Sequence, residues 1–158
     1  MYYKVFLDTN IYDGANYSFH NAMFSLLRKM TEDGALQLKI NSVVEGEVKK
    51  HIGRDVKVAA KKLLEAVKDR SLSSFRNIPS FQDYLMIPNP KDWVQKAEEE
   101  FEEFLISCNC DRISINGIDV EKIMENYFNQ KWPFEAAKTD EFKDAFIAAS
   151  IIKDIIGT

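Results

Sequence analysis

The chain has 158 residues, 46% of them hydrophobic and 29% charged, with a formal net charge of −4. That length fits one domain able to bury more than half of its unfolded surface, and the composition excludes disorder or a collagen-like fibre. No apolar run reaches the roughly 18 to 20 residues that span a bilayer, and the first residues carry no signal-peptide pattern, so a cytoplasmic protein without a membrane partner is expected.

In chain order, Tyr3 to Leu7 is a short apolar-rich run and reads as a first strand, expected to lie centrally in a sheet. Phe19 to Asp33 carries apolar residues at helical spacing and stops at Gly34. Leu36 to Ile40 reads as a second strand, and strand, helix, strand is the order of a parallel βαβ unit. A long helix follows, with Val48, Ile52, Val56, Ala60, Leu63 and Val67 on its apolar stripe and a bend expected near Gly53. Ser42, three residues before Glu45, predicts a capping box at its start.

Ser71 to Ser80 reads as loop, Phe81 to Ile87 as a helical turn, and Pro88-Asn89-Pro90 as a breaker. Trp93 to Cys108 is an amphipathic helix, Arg112 to Ile115 a brief strand and Val120 to Phe128 a further helix, ended by Trp132-Pro133. Asp144 to Ile156, apolar on most sides, predicts a largely buried helix. Cys108 and Cys110, two apart, predict free thiols. No linker or repeat divides the chain, so residues 1–158 are expected to form one domain.

Net charge excludes nucleic-acid binding by bulk electrostatics, but charge is segregated along the chain. From Lys49 to Arg70 eight Lys or Arg face three acids, whereas Glu98 to Glu103 holds five glutamates and no base. The glutamate run reads as a solvated surface. The basic run, with Lys49, Lys50, Arg54 and Lys57 nearest its start, reads equally as a solvated helix face or as a track for a phosphate backbone.

Ligands in open α/β sheets bind beyond the carboxyl ends of parallel strands, which is where Asp8 falls. Glu47 follows the second strand and so faces the same crevice, and Asp144 is the acid entering the last apolar helix. Clustered carboxylates repel by about 4 kcal/mol per pair at about 4 Å and an effective dielectric of about 20, so a cluster needs a counter-charge. A hard divalent cation supplies one, commonly alongside substrate phosphate. Structural roles compete: Asp8 as a helix N-cap or in an Asx turn with Asn10, Glu47 as a solvated glutamate, and Asp144 as a first-turn acid. His51 and Asp154 read as surface groups, and His20 as a residue at a helix start.

Three segments in this order, VFLDTNIY, NSVVEGEVKKH and WPFEAAKTDEFKDAFIAAS, resemble a PIN domain of a subgroup with a long helical insertion. The resemblance implies a three-layer α/β/α sandwich with a short parallel sheet, the insertion covering residues 71–135. It implies hydrolysis of RNA phosphodiesters with Mg²⁺ or Mn²⁺, held directly or through water by Asp8, Glu47 and Asp144, with Asn10 orienting Asp8 and Thr9 assisting. A toxin of a toxin-antitoxin pair or an RNA-processing enzyme would fit. Members of this family continue past the last helix into another strand bearing a further acid, whereas this chain ends at Gly157-Thr158. The chain is therefore expected to be a piece of a longer protein, a shortened gene product, or a subunit completed by a partner, with a protein partner or a homodimer as the candidates. Two alternatives differ in class. One is a catalytically inactive PIN-like scaffold that binds RNA or protein. The other is a haloacid-dehalogenase-like phosphatase, which requires a second Asp where Asn10 stands.

Overall fold

The computed structural model describes residues 2–81, 89–134 and 141–157. The expected turn over Phe81 to Ile87 lies almost wholly outside them, as do residues 135–140 of the third matching segment. The elements are β1 (Tyr3–Phe6), α1 (Thr9–Gly14), α2 (Ala22–Glu32), β2 (Leu36–Asn41) and α3 (Ser42–Lys68). A 3₁₀ stretch over Arg70–Asn77 follows, then α4 (Pro90–Ser107), β3 (Asp111–Ile113), α5 (Val120–Phe128) and α6 (Phe142–Ile156).

The three described strands form a parallel sheet in the order β1-β2-β3, with Tyr3 opposite Leu36 and Asn41 opposite Ile113. β2, not β1, is therefore the central strand among the described residues. The reason lies in its two faces. Leu36, Leu38 and Ile40 point into a core shared with Tyr12, Phe19 and Phe24, Val44 and Val48 of α3, and Phe101 and Phe104 of α4. Lys39 and Asn41 point the other way, to Asp154 and Ser150 of α6. A strand buried on both faces with partners on both edges is the middle of a three-layer α/β/α arrangement.

Local chemistry sets the ends of these elements. Asn21 caps α2 by accepting from the Phe24 N–H at 2.9 Å. Gly34, at φ +67, ends it in a Schellman turn, its N–H on the Thr31 carbonyl and that of Ala35 on the Met30 carbonyl. At α3 the N-cap is Asn41 rather than Ser42, because the Asn41 Oδ1 takes the Val44 N–H at 2.9 Å. The expected capping box is thus replaced, and Glu45 turns instead to Lys49 at 2.6 Å and Arg112 at 3.0 Å. α3 runs unbroken through Gly53, which is buried in α3 and faces Val94 of α4.

β3 starts one residue before the expected strand and ends two earlier. α6 departs most from expectation. Ala145 and Ser150 are its buried residues, while Ile152, Ile155 and Ile156 are exposed, since the described elements cover only one of its faces. Asp154, expected at the surface, is partly buried against Lys39. Cys108 and Cys110 are free, and burial pushes the Cys110 thiol up to about 12.

Candidate active site

β1 delivers the chain to Asp8, and the turn into α1 fixes that carboxylate at both oxygens. Its Oδ1 accepts the Thr9 N–H at 2.8 Å and its Oδ2 accepts the Asn10 side-chain amide at 2.8 Å. Capping and orientation are therefore one arrangement rather than competing roles. Thr9, almost wholly buried, donates its hydroxyl to Glu47 Oε2 at 3.0 Å and so joins the start of α1 to the second turn of α3. Glu47 Oε1 accepts from the ammonium of Lys143, in the first turn of α6. The next residue, Asp144, lines an open cavity of about 360 Å³ together with Asp8, Glu141, Phe6, Trp132 and Ile147.

The three acids expected to cooperate thus lie around the carboxyl ends of the parallel strands, Asp8 and Asp144 on one cavity and Glu47 beside it. The PIN domain family model matches residues 5–155. The chain belongs to the PIN domain family. No curated protein and no solved structure matches it. PIN domains are generally nucleases and usually use divalent metals.

Electrostatics in this PIN domain reflect the crowding of acids. Burial and the neighbouring charges of Glu141, Asp8 and Glu47 raise the Asp144 carboxyl above the ordinary aspartate value, against the opposing charge of Lys143. Glu47 goes the other way. Partial burial raises it, but the hydrogen bonds from Lys143 and Thr9 and the charge of Lys143 outweigh burial and hold it low. Among the described residues, Asp144 thus feels the charges of Glu141, Asp8 and Glu47 together with that of the Lys143 ammonium.

The donor chemistry suits a hard cation, since carboxylate oxygens are the ligands that Mg²⁺ and Mn²⁺ prefer. The arrangement does not yet suit one. Among the described residues no three His, Cys, Asp or Glu side chains are disposed to hold a metal ion together. Glu47 is the acid held aside, with both oxygens taken by Thr9 and Lys143.

The remaining candidates divide by position. Lys49 faces α4, its ammonium on Glu45 and 3.6 Å from Glu102. Lys50, Arg54 and Lys57 are exposed and share a stripe of α3 by their spacing, starting three residues after Glu47. Arg54 bonds Asp55 at 2.7 Å. His51 is half-buried, its Nδ1 2.9 Å from Asp13 Oδ2, while the Tyr17 hydroxyl donates to Asp13 Oδ1 at 2.6 Å. His51 thus stitches the end of α1 to α3. His20 lies 3.0 Å from Glu100 at the surface.

Sequence reasoning passed over Glu141 and Lys143, although both stand within three residues of Asp144 at a helix start, where side chains three apart share a face. It also passed over Asn41, which is wholly buried. Its Nδ2 donates to Ser150 Oγ at 2.8 Å, and Ser150 donates on to the Ile147 carbonyl at 2.7 Å. This chain binds β2, α3 and α6 together beneath the acids.

Proposed function

We propose that this PIN domain is a ribonuclease that hydrolyses RNA phosphodiester bonds at Asp8, Glu47 and Asp144 with the aid of Mg²⁺ or Mn²⁺. The observation that carries the reading is the convergence of Asp8, Asp144 and Glu141 on one cavity beyond the strand ends, with Glu47 bonded to Thr9, the residue next to Asp8. Asp8, Asp144 and Glu47 would hold the ion, which when bound supplies Lewis acidity toward phosphate and water.

The chain's own residues do the positioning. Asn10 and the Thr9 N–H aim the Asp8 carboxylate, and the Thr9 hydroxyl fixes the face that Glu47 presents. The exposed stripe of Lys50, Arg54 and Lys57 offers phosphate contacts leading toward Glu47, with Lys49 at its flank. Residues 71–135 would form the insertion of a single domain over residues 1–158, carrying β3 as well as helices. The setting is cytoplasmic, and among the described residues no helix is long and apolar enough to cross a membrane. RNA processing, or toxicity held in check by a protein partner, are the roles such an activity would serve. A second copy is the other partner considered.

Purified protein with Mg²⁺ or Mn²⁺ is expected to cleave single-stranded or structured RNA. Asp8→Asn, which keeps a capping side chain, is expected to abolish cleavage and leave the circular dichroism spectrum and melting temperature in place. Equal inertness of wild type and variant on several RNAs would overturn the enzymatic reading. The second reading, a catalytically inactive scaffold binding RNA or protein, draws on the engagement of both Glu47 oxygens by protein groups. It predicts RNA binding without Mn²⁺ binding.

A further inference from the structure

Two observations disagree: the acids of the site have the chemistry of a divalent-cation centre, yet no three of the described side chains are placed to form one. We propose that Lys143 is a resident counter-cation, holding Glu47 Oε1 while the site lacks a divalent ion and giving it up when one binds. The inference rests on the proposed use of a divalent cation and specifies how the site is gated.

Three features set this contact apart from an ordinary surface ion pair. First, its partners are unequally exposed: the Lys143 side chain is 64% accessible and that of Glu47 only 16%. An exposed ammonium on a flexible stem leaves at little cost, whereas Glu47 stays where the fold has put it. Second, the two Glu47 oxygens differ. Oε2 is held by the hydroxyl of Thr9, which is almost wholly buried, and Oε1 by the exposed lysine. The exchangeable oxygen is therefore Oε1, and Thr9 keeps the carboxylate oriented throughout the exchange.

Third, Lys143 is bonded to the residue that lines the cavity, Asp144, and both belong to the first turn of α6. That turn begins at Glu141, which makes no side-chain capping bond. Release of the ammonium from Glu47 and adjustment of Asp144 toward an ion therefore use the same turn. A doubly charged ion offers the carboxylates of Asp8, Glu47 and Asp144 more charge than one ammonium does, which favours it as the competitor.

The test is calorimetric titration of Mn²⁺ into the full-length wild type, Lys143→Gln and Lys143→Arg, with circular dichroism to verify folding. Lys143→Gln removes the competitor and is expected to bind Mn²⁺ roughly two- to fivefold more tightly, as expected when an ion pair of this exposure no longer opposes binding. Lys143→Arg keeps the charge and is expected to bind no more tightly than wild type. In the absence of metal, Lys143→Gln is expected to melt slightly lower, because the acids lose their counter-charge.

Equal or weaker Mn²⁺ affinity in Lys143→Gln would overturn the exchange while leaving the cation site standing. An equal gain in Lys143→Arg would also overturn it. Absence of Mn²⁺ binding in all three proteins would remove the cation site itself, and the exchange with it.

Discussion

Replacing Lys39 by methionine tests how the far end of α6 is anchored to the sheet. The Lys39 side chain is 7% exposed in the middle strand, its ammonium 2.8 Å from Asp111 and 2.9 Å from Asp154. Burial lowers its pKa, but the hydrogen bonds and charges of the two carboxylates outweigh burial and hold it above the ordinary lysine value. Methionine keeps the aliphatic length and removes the charge. Breaking a fully buried pair from one side costs about 3–5 kcal/mol. Here the penalty is smaller, because the Asp111 side chain is 43% exposed and that of Asp154 is 18% exposed with Lys4 still 3.8 Å away. A loss of about 2 kcal/mol follows, which at a urea slope of about 2 kcal/mol/M lowers the midpoint by about 1 M.

The sign of the pH dependence is determined by the raised folded-state pKa. The contribution is fully present below the ordinary lysine value of about 10.4 and is lost as pH rises through the higher folded value. The gap between wild type and Lys39→Met, read by circular dichroism in urea, should therefore be flat from about pH 6 to 9 and close above about pH 10.5. A midpoint shift smaller than about 0.3 M at pH 7, or a gain in stability, would refute the argument by showing that packing alone holds this layer together.

Two further substitutions address the core around the site. Asn41→Ala removes the α3 cap and leaves the buried Ser150 hydroxyl without its donor, so a loss of about 2–3 kcal/mol in urea unfolding is expected, with Asn41→Ser recovering part of it. Tyr12→Phe should be neutral or stabilising by up to about 1 kcal/mol in the same assay, because the Tyr12 hydroxyl, packed among Phe24, Phe101 and Phe104, is buried with no hydrogen-bond partner among the described residues. A loss above about 1 kcal/mol would show that this hydroxyl is bonded in solution.

The parts of the fold that follow from local periodicity were legible before any coordinates. The helix ending at Gly34 and the α5 span are of this kind, since each is specified by neighbours within a few residues, and the parallel β1 and β2 pair, Tyr3 opposite Leu36, follows from the strand, helix, strand order. What escaped depends on partners far along the chain. Lys39 looks like the polar side of an alternating strand until Asp111 and Asp154, 72 and 115 residues away, bury it, and this is why β2 rather than β1 lies in the middle. Asn41 and Ser42 are adjacent and both are good caps, and a distant Ser150 accompanies the choice of Asn41. In α6 the apolar residues suggested burial on most sides, but an apolar pattern does not say how many faces have a neighbour. At the site, parallel-strand geometry made Asp8, Glu47 and Asp144 readable as a group, whereas the grip of Lys143 on Glu47 spans 96 residues and left no local trace.

These long-range partners share a pattern that bears on how the acids are positioned. Lys143, Ile147, Ser150 and Asp154 are spaced along α6 as successive members of one helical stripe. Each meets a different point of the central layers: Glu47, the main core, Asn41 and Lys39. An apolar helix on an apolar sheet would be nearly indifferent to a shift along its axis, because hydrophobic contact has no direction. Polar tethers are directional, and a one-residue slip would rotate Ser150 and Asp154 by about 100° and break both together, whether or not Lys143 holds Glu47. The polar residues within the most apolar of the described helices therefore fix its register over the sheet. That register is what places Asp144 on the same cavity as Asp8.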